Sequence, residues 1–423
     1  MGCSGSKRTP TEITGKSGTC ASGAIDTQIP SGYRRGMAGE FSARARSVEP
    51  FLAMEVFERA LAMERGGERI LHLEVGEPDF PPPPGVVDAC AEALRAGETR
   101  YTDSRGLAEL REAIAADYER RFGVSVAPDR VLVTSGTSPA MWLVFTLLLD
   151  PGDEVILGTP HYPCYPNFVR VCGGTPVLVP MDPERGYALD VGRVRAAITP
   201  RTRAIVVSSP ANPTGAVQSP AVLRELASLG IPLVSDEIYD GLVYDDARVT
   251  CALSVSDDAY VLDGFSKRYA MTGFRLGWVV APERAVAPLR ALQQNLFISV
   301  NRFVQRAGLV ALREGAETVA RMRDAYAARR DLLVLGLREL GFGVPTRPRG
   351  AFYVFADARA FDPDSRRLAF DLLERAKVGT APGIDFGAAG EGFLRFCYAA
   401  SDTTLSEALE RIADALPGTH GPG

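Results

Sequence analysis

The sequence predicts an α/β protein: a mostly parallel central sheet with helices on both faces, together with a smaller α+β domain. Two observations lead to this fold class. Short apolar runs rich in β-branched residues recur along the chain, and stretches with helical periodicity lie between or before them. Strands that alternate with helices favour parallel pairing, with both faces of the sheet buried. A ligand of such a sheet is expected at the carboxyl ends of the strands, where the connecting loops gather.

The individual elements are predicted from these runs in chain order. Strands are predicted at residues 131–133, 154–157, 204–207, 232–235, 260–262 and 277–280, because each is a short, largely apolar run that contains at least one β-branched residue. Helices are predicted at residues 107–120, 138–149 and 219–229, and an amphipathic stretch covers residues 316–340. The sequence contains no internal repeat that would indicate a solenoid instead.

Composition and a proline-rich turn divide the chain into domains. At 423 residues the chain is longer than one typical domain. Residues 1–36 are rich in glycine, serine and threonine and lack apolar periodicity, so we expect a disordered tail there, and a second at residues 418–423. The proline-rich turn that starts at residue 81 separates an N-terminal segment, residues 37–80, from a large domain, residues 81–315. Residues 316–417 are expected to form a small C-terminal domain that packs with the N-terminal segment.

Two interpretations of the N-terminal tail stay open. The start Met1-Gly2-Cys3 fits the pattern for N-myristoylation, with Cys3 as a candidate for palmitoylation. Alternatively, Met37 is the true start of the protein. In both cases the tail precedes every motif that carries chemistry.

Composition also argues against several classes of function. A net charge of −5 disfavours a nucleic-acid-binding surface. The longest apolar run, residues 140–149, is too short to span a bilayer, so no membrane protein is expected. Seven cysteines without CxxC pairs, and only three histidines, disfavour a metal site. Reduced thiols in the cytoplasm are the simplest interpretation of these cysteines.

Lys267 is the most informative single residue. The chain has four lysines among its 47 basic residues, and Lys267 is the only lysine between Lys16 and Lys377. An amine can lose its proton and attack a carbonyl carbon, whereas a guanidinium stays protonated. A lysine kept in such an arginine-rich chain is therefore a candidate Schiff-base nucleophile. The alternative is a surface lysine without a chemical role.

The residues around Lys267 resemble the lysine segment of the class I/II aminotransferases, which use pyridoxal phosphate (PLP) and have fold type I. The family pattern begins with four consecutive residues: a Gly or Ser, an apolar residue, a small residue and the lysine. Eight positions after the lysine comes an arginine, which an apolar residue and a small residue follow. These positions are filled here by Gly264, Phe265, Ser266, Lys267, Arg275, Leu276 and Gly277. The resemblance extends over residues 49–417. It implies that Lys267 forms a Schiff base with PLP.

The resemblance implies a binding site for the phosphate of PLP. The loop Gly136-Thr137-Ser138 ends a predicted strand and begins a helix, where backbone N–H groups bind anions. Arg275 corresponds to the phosphate arginine of the family. Many relatives have a serine where this chain has Gly264, so a hydroxyl contact from that position is impossible here; Ser266, two residues further on, is a further candidate for cofactor binding. Without the resemblance, the same loop would be an ordinary capped turn between strand and helix.

The resemblance also implies partners for the ring of PLP. Asp236 follows a buried run and corresponds to the carboxylate that keeps the pyridine nitrogen protonated; its alternative role is a helix cap. Tyr239 and Asn212 correspond to the residues that contact the phenolic oxygen. Tyr162 corresponds to the aromatic residue that stacks on the ring, although core packing is its alternative role.

Arg395, Gly76 and Tyr101 are the remaining site residues that the resemblance implies. Arg395 lies in an apolar run and corresponds to the arginine that binds the substrate carboxylate, together with Asn212; an internal salt bridge is the alternative. The backbone of Gly76 is expected to line the substrate site. Tyr101 corresponds to a tyrosine that reaches the phosphate of the neighbouring subunit, which implies a homodimer with shared active sites.

The activity implied is transamination between an L-amino acid and a 2-oxo acid by a ping-pong mechanism. Two alternatives belong to other classes. A PLP-dependent β-lyase or other eliminase would use the same Lys267, Asp236 and Arg395. A PLP-sensing transcriptional regulator would need a helix-turn-helix module before the core, which the glycine-rich tail cannot supply. Residues 49–53, where related enzymes approach the substrate side chain, are largely apolar and weakly favour an apolar or aromatic amino donor.

Overall fold

A computed structural model describes Gly2 and residues 41–416 of the chain. The predicted disordered segments, residues 1–36 and 418–423, lie outside the described residues apart from Gly2. Internal contacts divide the chain after Ser42, and the fold described below belongs to the unit that starts at Ala43.

The helices and strands of this unit are named here in chain order. The α-helices are α1 Ala43–Arg46, α2 Leu52–Arg65, α3 Val86–Arg95, α4 Ala108–Phe122, α5 Thr137–Leu148, α6 Cys164–Val171, α7 Val191–Ala197, α8 Pro220–Ala227, α9 Glu283–Leu296, α10 Arg302–Glu314, α11 Ala316–Glu339, α12 Ser365–Ala376 and α13 Asp402–Ala415. The strands are β1 Leu71–His72, β2 Val131–Thr134, β3 Glu154–Thr159, β4 Thr175–Pro180, β5 Thr202–Ser208, β6 Leu233–Asp236, β7 Tyr260–Gly264, β8 Gly277–Val280, β9 Tyr353–Asp357, β10 Val378–Gly379, β11 Ala381–Pro382 and β12 Phe393–Cys397.

A seven-stranded sheet forms the centre of the fold, in the order β2-β8-β7-β6-β5-β3-β4. The pairs β3–β4, β3–β5, β5–β6 and β6–β7 are parallel, while β8 is antiparallel to both of its neighbours. All six predicted strands are present in it, and the prediction of a mostly parallel sheet is confirmed. β4 is the strand of this sheet that the sequence did not predict.

Both faces of the central sheet are buried, as predicted. Val131 and Val133 of β2 pack into one hydrophobic cluster, whereas Leu132 between them packs into another. The first cluster includes residues of α4, α8 and α10, and the second includes residues of α5 and α9. Alternate side chains of one strand therefore meet helices on opposite sides, which explains why the strands read as continuous apolar runs.

A smaller antiparallel sheet, in the order β11-β12-β9, and a parallel β1–β10 pair lie outside the central sheet. A further hydrophobic cluster joins α2 and β1 to α11, α12, α13 and β9. The predicted domain boundaries near residues 80 and 315 stay predictions. Among the described residues, no helix is both long enough and apolar enough to cross a membrane.

Candidate active site

A cavity of about 260 Å³ brings most of the predicted site residues together. It lies where the loops after β5, β6 and β7 meet the start of α5, opposite β9, β12 and residues 74–76. The predicted residues that line it are Gly76, Thr137, Ser138, Tyr162, Asn212, Asp236, Tyr239, Ser266, Lys267, Arg275 and Arg395. Gly136 and Tyr101 do not line it. Residues that line it without having been predicted include Met54, Glu74, Tyr165, Ile238, Thr272 and Tyr353.

Lys267 follows β7 and extends its amine across the cavity. Its Nζ donates a hydrogen bond to the carbonyl oxygen of Gly76 at 2.5 Å. Burial lowers the pKa of Lys267 to about 8, because desolvation disfavours the ammonium form. A substantial fraction of the amine is therefore neutral at slightly alkaline pH, as a nucleophile requires.

Asp236 ends β6 and is buried. The Tyr165 hydroxyl donates to its Oδ2 at 2.7 Å, and the backbone N–H of Ile238 donates to its Oδ1 at 3.2 Å. Burial raises the pKa of Asp236, while these hydrogen bonds and the charge of Lys267 oppose the rise. Among the described residues Asp236 has no ion-pair partner within 4.0 Å. Its carboxylate could therefore form an ion pair with a cationic atom of a ligand.

The start of α5 and Arg275 form an anion-binding corner. Gly136 precedes the helix with φ of 95°, a backbone conformation that favours glycine, and a Cβ there would lie 2.7 Å from Arg275 Nη2. Thr137 and Ser138 begin the first turn, where N–H groups have no partner within the helix. Arg275 Nη1 donates to the Thr272 carbonyl at 2.9 Å, and the guanidinium forms no ion pair with any described residue. N–H groups without a partner in the helix, beside a guanidinium without an ion pair among the described residues, fit a phosphate.

Arg395 lies in the middle of β12 and is 2% exposed. Its Nη1 donates to Asn212 Oδ1 at 3.0 Å, its Nη2 donates to the Glu74 carbonyl, and its guanidinium carbon lies 4.4 Å from the centre of the Tyr353 ring. Its Nε has no hydrogen-bond partner, and no carboxylate of the described residues lies within 4.0 Å of it. The internal salt bridge of the alternative interpretation is therefore not formed in this part of the chain. A buried guanidinium held only by neutral oxygens can accept an anionic ligand.

Tyr353, at the start of β9, is a site residue that sequence reasoning missed. Its hydroxyl lies 2.7 Å from the Tyr239 hydroxyl. A Cβ on Gly76 would overlap the Tyr353 hydroxyl, so glycine is required there for packing as well as for lining the cavity. Tyr162 meets Phe51 and Tyr165 edge-on, with ring centres 6.0 and 5.4 Å apart.

Comparisons with known proteins agree with this geometry. The family "Aminotransferase class I and II" matches residues 68–412. A probable aspartate/prephenate aminotransferase of Thermus aquaticus is 41% identical over 382 residues, covering 89% of this chain and 99% of that protein. A valine–pyruvate aminotransferase of Mycobacterium tuberculosis is 39% identical over 377 residues, covering 88% and 97%. The solved structure of aspartate aminotransferase from Thermus thermophilus with maleate has a TM-score of 0.85 and 41% identity, covering 89% of this chain and 100% of that chain.

The chain belongs to the class I and II aminotransferase family, in which PLP-dependent transamination is the general function. Its fold is fold type I, and it is an aminotransferase that moves an amino group between an amino acid and a 2-oxo acid. The predictions of family, fold class and activity are therefore confirmed. The roles of individual residues stay predictions and are taken up below.

Proposed function

We propose that the cavity binds PLP and that its residues have the roles in transamination that the family resemblance implies. Bound PLP supplies an aldehyde that bonds to amines and a ring that withdraws electrons from the substrate. The observation that carries this proposal is that three groups line one cavity: an amine on Lys267, a carboxylate on Asp236 and the guanidinium of Arg275 beside the start of α5. These groups match the aldehyde, the pyridine nitrogen and the phosphate.

The cofactor-binding residues would act as follows. Arg275, Thr137 and Ser138 hold the phosphate, with Gly136 allowing its close approach and Ser266 beside it. Asp236 holds a proton on the pyridine nitrogen, because a buried carboxylate stabilises an adjacent cation. Tyr239 and the free amide N–H group of Asn212 donate to the phenolic oxygen, and Tyr162 packs on the ring.

Lys267 has a second role as a proton carrier. With PLP and substrate bound, Nζ would accept the proton from the substrate Cα and would deliver it to C4′ of the cofactor. A pKa of about 8 keeps this amine near the pH at which it can both accept and release a proton. The Gly76 carbonyl, 2.5 Å away, is available to orient it.

Arg395 is the proposed binding site for the substrate carboxylate. Its guanidinium offers a planar pair of N–H donors, which fits a carboxylate better than an ammonium does. Asn212 Oδ1 fixes the plane of that guanidinium from one side.

The substrate side chain is proposed to be apolar or aromatic. Phe51, Ala53 and Met54 line the cavity at the start of α2, and Ile238 adds to this apolar wall. Asp385 holds the start of α2 in place by accepting from the backbone N–H groups of Leu52 and Ala53 at 2.9 and 3.0 Å. The cations that line the cavity are Lys267, Arg275 and Arg395, each already assigned a role, so no cation of its lining is left for a distal carboxylate.

A panel of amino donors with 2-oxoglutarate as acceptor tests this proposal. Phenylalanine and valine are expected to give higher kcat/KM than aspartate, measured as 2-oxo acid formed. A preference for aspartate would contradict the proposed apolar pocket. Incubation of the enzyme with a β-substituted amino acid in the absence of any 2-oxo acid distinguishes transamination from elimination. Under those conditions an eliminase would release pyruvate and ammonia.

A homodimer with shared active sites is also proposed. Tyr101 is 77% exposed and lies outside the cavity lining, so its hydroxyl is available to a neighbouring subunit. Leu296 and Ile298 are exposed apolar residues. The backbone N–H of Thr102 donates to Ser299 Oγ at 3.3 Å, so the segment after Tyr101 contacts the segment that holds Ile298. Native mass spectrometry should give twice the chain mass, and Tyr101→Phe should weaken cofactor binding.

A cytoplasmic location stays a prediction, supported by the free thiols of Cys90, Cys164, Cys172, Cys251 and Cys397.

A further inference from the structure

A histidine–glutamate pair lies behind the arginine that is proposed to bind the substrate. His72 Nδ1 is 2.6 Å from Glu74 Oε1. Glu74 is fully buried, and His72 is its only ion-pair partner among the described residues. A buried carboxylate is costly unless a cation compensates its charge. Protonated His72 supplies that compensation.

The same glutamate starts a short segment, residues 74–76, that contacts both functional cations of the cavity. The Glu74 carbonyl accepts from Arg395 Nη2, and the Gly76 carbonyl accepts from Lys267 Nζ at 2.5 Å. The side chain of Glu74 therefore anchors a backbone whose oxygens hold Arg395 and Lys267. Its second oxygen, Oε2, has no hydrogen-bond partner, so His72 is the main anchor of the carboxylate.

We propose that protonated His72 is a positioning residue for amino-acid binding: by neutralising Glu74 it keeps the Glu74 carbonyl against Arg395. This inference rests on the proposed role of Arg395. When His72 loses its proton, the buried Glu74 carboxylate is left uncompensated and is drawn toward water. That movement displaces the carbonyl from Arg395 and weakens the binding of the substrate carboxylate.

The surroundings of the pair indicate the pH at which this loss occurs. On α2, Glu64 Oε1 lies 3.2 Å from His72 Nε2, and the Phe57 ring packs edge-on against the imidazole with centres 5.6 Å apart. On β12, burial raises the pKa of the Cys397 thiol to about 11, and the charge of Glu74 adds to this rise. The Lys377 amine, just before β10, is paired with Glu68 instead. The hydrogen bond to Glu74 is the largest influence on the imidazole and raises the pKa of His72 to about 9.

The test is the affinity of the PLP-loaded enzyme for 3-phenylpropionate between pH 7 and pH 10. This ligand has a carboxylate that stays ionised over the range and has no amino group of its own to titrate. In the natural chain, affinity should fall about tenfold as pH rises through 9, the effect of losing one well-placed hydrogen bond to a charged group. His72→Gln should bind about tenfold more weakly already at pH 7 and lose little more above pH 9. Both proteins carry the same Lys267 and the same cofactor, so any titration at that position is shared and the difference between the two proteins isolates His72.

A rescue variant and a matched control complete the design. Adding Glu74→Gln to His72→Gln removes the uncompensated charge while keeping the side-chain shape, and should restore most of the affinity at pH 7. Arg69→Gln removes an exposed cation next to the same strand, where Arg69 pairs with Glu407, and should leave affinity and pH profile unchanged. Failure of the rescue would contradict the charge mechanism.

Two outcomes separate this inference from the proposed function. A wild-type affinity and pH profile for His72→Gln, with Arg395→Lys strongly impaired, would overturn the role of His72 alone. Undiminished binding of 3-phenylpropionate to Arg395→Lys would overturn the proposed carboxylate site, and the role of His72 with it.

Discussion

The two walls of the cavity place their functional groups by different means. On the wall formed by the central sheet, Asn212, Asp236 and Lys267 lie at or just after the carboxyl ends of parallel strands. On the opposite wall, Arg395 and Tyr353 belong to strands β12 and β9 of the small antiparallel sheet. The first arrangement follows from the geometry of any parallel sheet, whereas the second depends on how a separate sheet packs against it.

The two walls also differ in their electrostatics. On the first wall burial lowers the pKa of Lys267 and raises the pKa of Asp236, so desolvation brings both groups closer to a change of protonation state. On the second wall the guanidinium of Arg395 is held by neutral oxygens, and a guanidinium serves as an anion partner and not as a proton carrier. The first wall is therefore suited to move protons, and the second to bind an anion. Variants of the first wall should therefore change turnover, and variants of the second should change affinity.

The largest loss of turnover is expected for variants of Lys267. Lys267→Ala removes both the nucleophile and the proton carrier, so transamination should fall to background, with PLP bound only non-covalently. Lys267→Arg keeps the charge but should be nearly as inactive, because a guanidinium does not release its proton. Borohydride reduction followed by mass spectrometry measures covalent attachment, and coupled assays measure turnover. Substantial turnover in the arginine variant would contradict the proposed chemistry of this wall.

Asp236→Asn should lower turnover by orders of magnitude, because the amide cannot hold the pyridine nitrogen in its protonated form. Covalent attachment of PLP to Lys267 should persist, since the aldehyde does not depend on Asp236. A measurement of kcat together with borohydride trapping distinguishes the two effects. Wild-type rates would mean that the partner of the pyridine nitrogen lies elsewhere on the wall.

The first wall was largely predictable from the sequence because its residues follow strands that read as apolar runs. Asp236 ends the run of β6, and Lys267 follows that of β7. The strand that was missed, Thr175–Pro180, shows the limit of this approach. It contains two prolines and lies at the edge of the sheet with most of its residues partly exposed, so neither apolar periodicity nor turn signals marked it.

The second wall was predictable only in part. Arg395 was identified through the family resemblance, and its position in an apolar run agrees with that role because a buried charge needs a partner. Tyr353 stands in a run of aromatic and aliphatic residues that reads as core, and nothing local shows that its hydroxyl reaches Tyr239. Glu74 contributes a backbone carbonyl, which no side-chain pattern can reveal. A glutamate within the apolar run of residues 70–75 was nevertheless a signal of a buried carboxylate.

Arg395→Lys should weaken amino-acid binding far more than PLP binding, as expected for the second wall. Lysine keeps the charge but loses the two parallel N–H donors that fit a carboxylate. The loss is expected to be about 2–5 kcal/mol, or roughly 30- to several-thousand-fold in affinity. Substrate titrations of the PLP-loaded enzyme measure it. An unchanged apparent affinity would mean that Arg395 is a structural residue and that the carboxylate binds elsewhere.

Tyr353→Phe should give the smallest loss of kcat/KM, and it tests directly whether a contact between the two walls matters for activity. The change removes the hydroxyl that lies 2.7 Å from the Tyr239 hydroxyl but keeps the ring beside Arg395. Loss of one neutral hydrogen bond is worth about 1 kcal/mol, so kcat/KM should fall roughly fivefold. Tyr187→Phe is the matched control, because Tyr187 is equally buried but its hydroxyl has no hydrogen-bond partner and lies outside the cavity lining. Equal activities of the two variants would show that the Tyr239–Tyr353 contact does not link the walls, whereas a loss confined to Tyr353→Phe would show that the small sheet helps to set the position of Tyr239.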